Sequence, residues 1–269
     1  MSSMGAATVR GKRRVPVAPL ALTITVLALT ASIAALGTGR AMDAMRLLHA
    51  GVDYHPDSSH SFVLDGQQSV QCARNTGIYL GAFLTLPWAW LSGRGRATGL
   101  PPIRMGMVLA LCFGIMVADG VNSLAAELGY DAVYSPTTAL RLGTGLLAGT
   151  AAGWYFWPVL NSVVWQQHDE RPVLRGVNWL LALLGIELSV WLAVLLEVNW
   201  LAVPLAVLTS AASLTLFGGV NLLLLVLLLR SENRYRRVGD IARPATVALS
   251  AALTQLLLLA ALVRVVVAG

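Results

Sequence analysis

The stretch LAVLTSAASLTLFGGVNLLLLVLLL, residues 205–229, carries no charged side chain along its whole length. About 20 apolar residues in a helix are enough to cross the hydrocarbon core of a bilayer. Backbone polar groups in lipid must bond to one another, which favours a helix over an open sheet. This stretch therefore predicts a transmembrane helix.

Similar apolar runs recur along the chain of 269 residues, of which 57% are hydrophobic and only 12% are charged. Soluble domains have about 25% charged residues. We therefore predict an all-α fold, a polytopic transmembrane helical bundle, with Pro204 in a tight turn before the sixth of seven spans. The predicted spans cover residues 17–36, 76–91, 105–121, 142–164, 177–196, 205–229 and 245–267.

The domain organisation follows from these spans. Residues 1–16 form a basic cytoplasmic N-terminal tail, and residues 17–269 form a single transmembrane helical domain. The apolar core of the first span is longer than the roughly 7 to 15 residues of a signal peptide, so we interpret it as a retained anchor.

The basic residues lie mainly in alternate segments between the spans. Of the 19 Lys and Arg residues, 14 fall in segments that one orientation places in the cytoplasm. The positive-inside rule then predicts a cytoplasmic N-terminus and an extracytoplasmic C-terminus. The basic residues of these segments account for the net charge of +6. We therefore expect the protein in the lipid bilayer of the cell (inner) membrane, and we expect no nucleic-acid partner.

The long segment 38–75 is predicted to be an extracytoplasmic loop that contains an amphipathic helix. Within RAMDAMRLLHAGV, residues 40–52, the apolar residues Met42, Met45, Leu48 and Val52 recur at near-helical spacing. Such a helix lies along the membrane surface or covers one end of the bundle.

Polar residues gather in DYHPDSSHSFVLDGQQSVQCARNTGIYLG, residues 53–81. His55, His60 and Cys72 are three competent ligands for zinc or another soft metal. The alternative is a solvated loop, because His55 and His60 have no fixed helical face to aim them. We favour the loop interpretation and expect no cofactor, with the metal site as the alternative.

Three charged residues are predicted at a similar depth near the outer ends of their spans: Arg74, Asp119 and Arg141. One interpretation is an ion pair that locks the second, third and fourth spans together. The other is a site where Arg74 and Arg141 grip an anionic headgroup or substrate. We favour the ion pair.

Glu187 lies near the middle of the fifth span, where a carboxylate is costly unless it is neutral, hydrogen-bonded or paired. Asn221 and Gln255 are candidate partners for it. We favour a polar contact between helices over the proton-carrying carboxyl of a transporter.

Three glycines of the fourth span, Gly145, Gly149 and Gly153, are spaced to share one helical face. Small residues at this spacing allow close contact between helices. We favour packing within one bundle over a face for another subunit.

Residues 50–150 resemble domain-of-unknown-function family 2085 of predicted prokaryotic membrane proteins. The family pattern has Cys-His where this chain has Tyr54 and His55, and Cys-x-Arg-Cys where it has Cys72, Arg74 and Asn75. The resemblance thus implies that Tyr54 and Asn75 replace two cysteines of a site suited to zinc. It implies no reaction. The matching residues are His55, Ser61, Phe62, Cys72, Arg74, Gly77, Ile78, Tyr79, Gly81, Asp119, Gly120, Leu140, Arg141, Thr144 and Gly145.

Three functions remain open. The favoured one is a non-catalytic structural or assembly subunit of a larger membrane complex with other membrane protein subunits, because two of the family's thiols are missing and little of the chain lies outside the membrane. The second is a membrane-embedded enzyme that acts on a lipid or lipid-linked substrate at the outer leaflet, with or without a metal. The third is a transporter that uses Glu187. Whether the chain is an enzyme is therefore left open, and we favour the non-catalytic function over the enzyme.

Overall fold

The computed structural model describes residues 38–53 and 58–268. The described chain is mostly α-helical, with two short pairs of strands. Strand β1 (Val63–Leu64) pairs antiparallel with β2 (Gln67–Gln68), and β3 (Ala97–Gly99) pairs parallel with β4 (Asp169–Pro172). The helices are α1 (Thr38–His49), α2 (Ala73–Leu91), α3 (Ile103–Glu127), α4 (Thr138–Val164), α5 (Val177–Leu195), α6 (Ala202–Leu228) and α7 (Val238–Ala268).

Within the described residues, four helical segments are long and apolar enough to cross a membrane: Ile103–Glu127, Val177–Leu195, Asn199–Leu228 and Val238–Val266. The helical membrane architecture predicted from the sequence is confirmed to this extent. Helices α2 and α4 occupy the second and fourth predicted spans. The first predicted span, 17–36, lies outside the described residues, so the count of seven spans and the orientation stay predictions.

Helices α2 and α4 form the central pair of the bundle, and glycines set how closely they approach. A Cβ atom at Gly149 would collide with the carbonyl oxygen of Ile78, and one at Gly145 would collide with that of Arg74. A Cβ atom at Gly77 of α2 would likewise collide with the backbone of α4, at 2.5 Å from the carbonyl oxygen of Leu142. The glycine face of α4 therefore packs within this bundle, as we favoured from the sequence.

The amphipathic helix expected after the first span is α1. Its buried face carries Met42, Met45 and His49, and it packs on Ala206 and Val207 of α6. The ring of His49 is fully buried, with Nδ1 2.7 Å from the carbonyl oxygen of Met45 and Nε2 2.7 Å from the hydroxyl of Ser213. Helix α1 is therefore anchored to α6 by polar as well as apolar contacts.

The start of α6 differs from the predicted boundary. Pro204 is not in a turn before the helix but inside its first turn, since α6 begins at Ala202. Proline is tolerated there because the N–H that it lacks would have no partner within the helix. The turn is formed instead by the 3₁₀ segment Asn199–Leu201.

Candidate functional site

One face of α3 carries the polar residues of the site. Asp119, Ser123 and Glu127 are four residues apart and therefore lie along one side of the helix. This side faces the first turns of α2 and α4, which supply Arg74 and Arg141. Three elements thus bring together charges that are distant in sequence.

The carboxylate of Asp119 is 2% exposed, and both of its oxygens have partners. Arg74 donates from Nη2 to Oδ2 at 2.6 Å and to the hydroxyl of Ser123 at 2.9 Å. The hydroxyl of Tyr134 donates to Oδ1 at 2.9 Å, and Thr144 Oγ1 lies 3.2 Å from Oδ2. We call these five residues the Asp119 cluster. It joins α2, α3, α4 and the segment 128–137 between α3 and α4.

Tyr134 was not predicted as a site residue, and Asn122 positions it next to Asp119. The Asn122 side chain donates from Nδ2 to the Tyr134 carbonyl at 2.9 Å and accepts from the N–H of Val133 at 2.8 Å. Burial and the hydrogen bond to Asp119 raise the pKa of Tyr134. Its hydroxyl therefore remains a donor at neutral pH.

Arg141 does not contact Asp119, although the sequence placed both arginines within its reach. Arg141 donates to Oε1 of Glu127 at 3.2 Å, and Nε2 of His60 lies 3.2 Å from the same oxygen. The reason is the position of Arg141 along α4, nearly one turn before Thr144. Arg141 therefore faces the end of α3, and this end lies two turns beyond Asp119. We call Arg141, Glu127 and His60 the Glu127 cluster.

Cys72 is the N-cap of α2. Its sulfur accepts from the N–H of Asn75 at 3.5 Å, while Asp53 accepts from the backbone N–H of Cys72 and, at 2.8 Å, from the amide of Asn75. Burial and the nearby Asp53 carboxylate raise the pKa of the Cys72 thiol to about 12. The thiol is therefore protonated at neutral pH, and neither Cys72 nor Cys112 is in a disulfide.

The predicted metal ligands are only partly within the described residues, because His55 lies outside them. Of the two ligands that are described, His60 contacts Glu127 and Cys72 contacts Asp53. Residues 38–53 and 58–268 contain no group of three His, Cys, Asp or Glu side chains arranged to hold a metal ion. The metal site at His55, His60 and Cys72 therefore stays a prediction.

The chemistry of Cys72 separates the two interpretations of this segment. A rise in pKa from 9.0 to about 12 lowers the thiolate fraction at pH 7 about a thousandfold. In a Cys112→Ser variant, we therefore expect iodoacetamide to alkylate Cys72 far more slowly in the folded than in the unfolded protein. The folded-state rate should continue to rise with pH above pH 9, and a chelator should leave it unchanged. Faster alkylation after a chelator is added would contradict this expectation and support a bound metal.

Glu187 is 3% exposed and accepts a hydrogen bond from Thr150 of α4. Asn221 and Gln255 do not bond to it but to each other, at 3.4 Å, between α6 and α7. The partners predicted for Glu187 were wrong, because α5, which carries Glu187, packs on α4, whereas Asn221 and Gln255 lie on α6 and α7. The second carboxyl oxygen of Glu187, Oε2, has no hydrogen-bond partner among the described residues.

The fold and its apolar helices define an integral membrane protein of the α-helical class. Residues 54–155 match the model of domain-of-unknown-function family 2085, whose description is "predicted membrane protein". This match confirms the resemblance inferred from the motif, and it includes the residues of both clusters. The replacement of two family cysteines by Tyr54 and Asn75 stays a prediction. Searches of curated proteins and of solved structures found no match to the chain.

Proposed function

We propose that this protein is a non-catalytic structural or assembly subunit of a larger membrane complex. The observation that carries the proposal is the Asp119 cluster, in which both carboxylate oxygens are taken by groups of the chain itself. A buried carboxylate that is already paired with an arginine contributes to holding helices together, whereas a reacting group needs an open position for its substrate.

The other motif residues support the same proposal. The Cys72 thiol serves as a helix cap, and its burial raises its pKa, which disfavours the thiolate that a nucleophile needs. The Gly145 and Gly149 positions are filled by the backbone of α2. These residues thus act together to fix α2 against α4 and to present one rigid bundle to its surroundings.

The proposal is tested by purifying the tagged full-length protein from native membranes in a mild detergent. Mass spectrometry then measures which proteins co-purify and in what ratio. We expect at least one other membrane protein in a fixed ratio that persists in a second detergent. An unrelated multi-pass protein with the same tag, prepared in parallel, is the control. Purification of the chain alone would contradict the proposal.

One observation favours the outer-leaflet lipid enzyme as a second candidate. Among the described residues, the Nε atom of Arg141 is buried without a hydrogen-bond partner. Its Nη2 pairs with Glu127, whose side chain is 45% exposed. The phosphate of a lipid-linked substrate has the charge and geometry to replace the Glu127 carboxylate on this guanidinium.

The Glu127→Gln variant tests this second candidate. If an anionic substrate competes with Glu127, removing its charge should increase the retention of phosphate-bearing lipids on the purified protein several-fold. Glu197→Gln, in the turn between α5 and α6, is the matched control. Equal lipid retention by wild type and both variants would exclude Arg141 as a substrate site.

A further inference from the structure

Three connecting segments meet at the end of the bundle where α2, α4 and α6 finish. Strands β3 and β4 join the first two segments, with Ala97 opposite Asp169. A bridge between Trp165 and Tyr235 joins the second to the third, supported by a hydrogen bond of 3.0 Å from Gln166 N–H to the Tyr235 carbonyl. The three connections therefore form one folded surface. We call residues 92–104, 165–176 and 229–243 the basic platform.

The basic platform carries the whole net charge of the protein. It holds ten arginines and four acidic residues, out of 19 basic and 13 acidic residues in the chain, so the remainder has nine of each. The arginines are Arg94, Arg96, Arg104, Arg171, Arg175, Arg230, Arg234, Arg236, Arg237 and Arg243.

Most of these arginines have no acidic partner. Within the described residues, the one ion pair of the platform joins Arg171 to Asp169 at 2.6 Å. The carboxylate of Asp240 is used differently: it accepts the backbone N–H groups of Arg236 and Arg237. The exposed arginines that make no ion pair among the described residues are Arg104, Arg175, Arg230, Arg234, Arg236, Arg237 and Arg243.

Exposed apolar side chains lie at the edges of the platform. Leu91, Ile103 and Leu228, at the ends of α2, α3 and α6, are all strongly exposed. Ile103 and Leu228 belong to helices able to cross a bilayer, which suits them to contact with acyl chains. The guanidinium of Arg96 lies 4.2 Å from the centre of the buried Trp165 ring. Arginines beside exposed apolar side chains suit this end of the bundle to the depth of the lipid phosphates.

We propose that the basic platform binds the phosphate groups of anionic lipids in the leaflet that it faces. Exposed guanidiniums without a carboxylate partner can each take a phosphate in bidentate geometry. The bordering leucines and isoleucine would at the same time contact the acyl chains of the bound lipids. A lipid satisfies both surfaces at once, whereas a soluble acidic protein would cover only the arginines.

The test uses the full-length protein in nanodiscs made of equal parts phosphatidylcholine and phosphatidylglycerol. The protein is released in the mass spectrometer, and the retained lipids are counted by class. We expect the wild type to retain phosphatidylglycerol preferentially. In the Arg234→Gln, Arg237→Gln double variant the preference should fall, by up to about fivefold per arginine. The Arg40→Gln, Arg264→Gln double variant has the same net charge and should keep the wild-type preference.

Three results would overturn the proposal. The first is equal retention of both lipids by the wild type. The second is an equal loss of preference in the two double variants, which would indicate an effect of net charge alone. The third is a soluble acidic protein that purifies with the wild type and is lost from the Arg234→Gln, Arg237→Gln variant, while lipid retention stays unchanged.

Discussion

Replacing Asp119 with asparagine is expected to lower the free energy of unfolding by about 3 kcal/mol. The substitution leaves the Arg74 guanidinium in the bundle without a counter-charge. We expect the lower end of the range for broken buried ion pairs, because the Arg74 side chain is 22% exposed. The measurement is reversible unfolding in mixed micelles as the fraction of denaturing detergent increases, followed by circular dichroism.

Asp43→Asn is the matched control for this prediction. Asp43 also pairs with an arginine, Arg46, at 2.7 Å, but its side chain is 73% exposed. Exposed pairs contribute between about 0 and 1 kcal/mol, so the control should change little. Equal losses in the two variants would contradict a structural role for the Asp119 cluster. A double variant, Arg74→Met with Asp119→Leu, should recover part of the loss because no unpaired charge remains.

Replacing Gly149 with valine is expected to separate α2 from α4 and to cost about 3 kcal/mol or more. The added Cβ would collide with the carbonyl oxygen of Ile78 and would lie 2.9 Å from the N–H nitrogen of Ala82. Both are backbone atoms of a helix, so a change of rotamer cannot relieve the contact. We expect a large loss of folded protein in the membrane, measured as the yield of protein that elutes as a single species after purification.

Gly114→Val in α3 is the control for the helix-pair prediction. Gly114 too lies in the middle of a long apolar helix, but beyond the backbone of its own helix no atom of the described residues lies within 4 Å of a Cβ built there. The two variants therefore add the same side chain in the same kind of element and differ in what it meets. A similar yield for the two would show that α2 and α4 are not in close contact.

The sequence predicted the helices well because lipid leaves the backbone few alternatives. An apolar run such as 177–196 must form a helix, and α5 occupies Val177–Leu195. The depth of charged residues followed from the same runs, which is why Arg74 and Asp119 were considered together. Depth alone was enough for that pair, since Arg74 lies in the first turn of α2 and Asp119 lies near the outer end of the predicted third span.

Rotation and register could not be predicted in the same way. Whether Arg141 reaches Asp119 or Glu127 depends on how the segment 128–137 sets α4 against α3, and this depends on hydrogen bonds of Asn122 to the backbone of Tyr134. The partner of Glu187 likewise depends on which helix packs on α5. Apolar periodicity carries little of this information, because these helices have apolar residues on nearly all sides.

The proposed role as one subunit of a larger membrane complex is best tested by weighing the protein as it is extracted from native membranes. Protein extracted from native membranes without harsh detergent can be weighed intact and then dissociated. We predict a mass well above the 28.5 kDa of one chain, which on dissociation yields this chain and a different membrane protein in a constant ratio. A particle that contains only this chain and lipid would contradict the proposed role as a subunit.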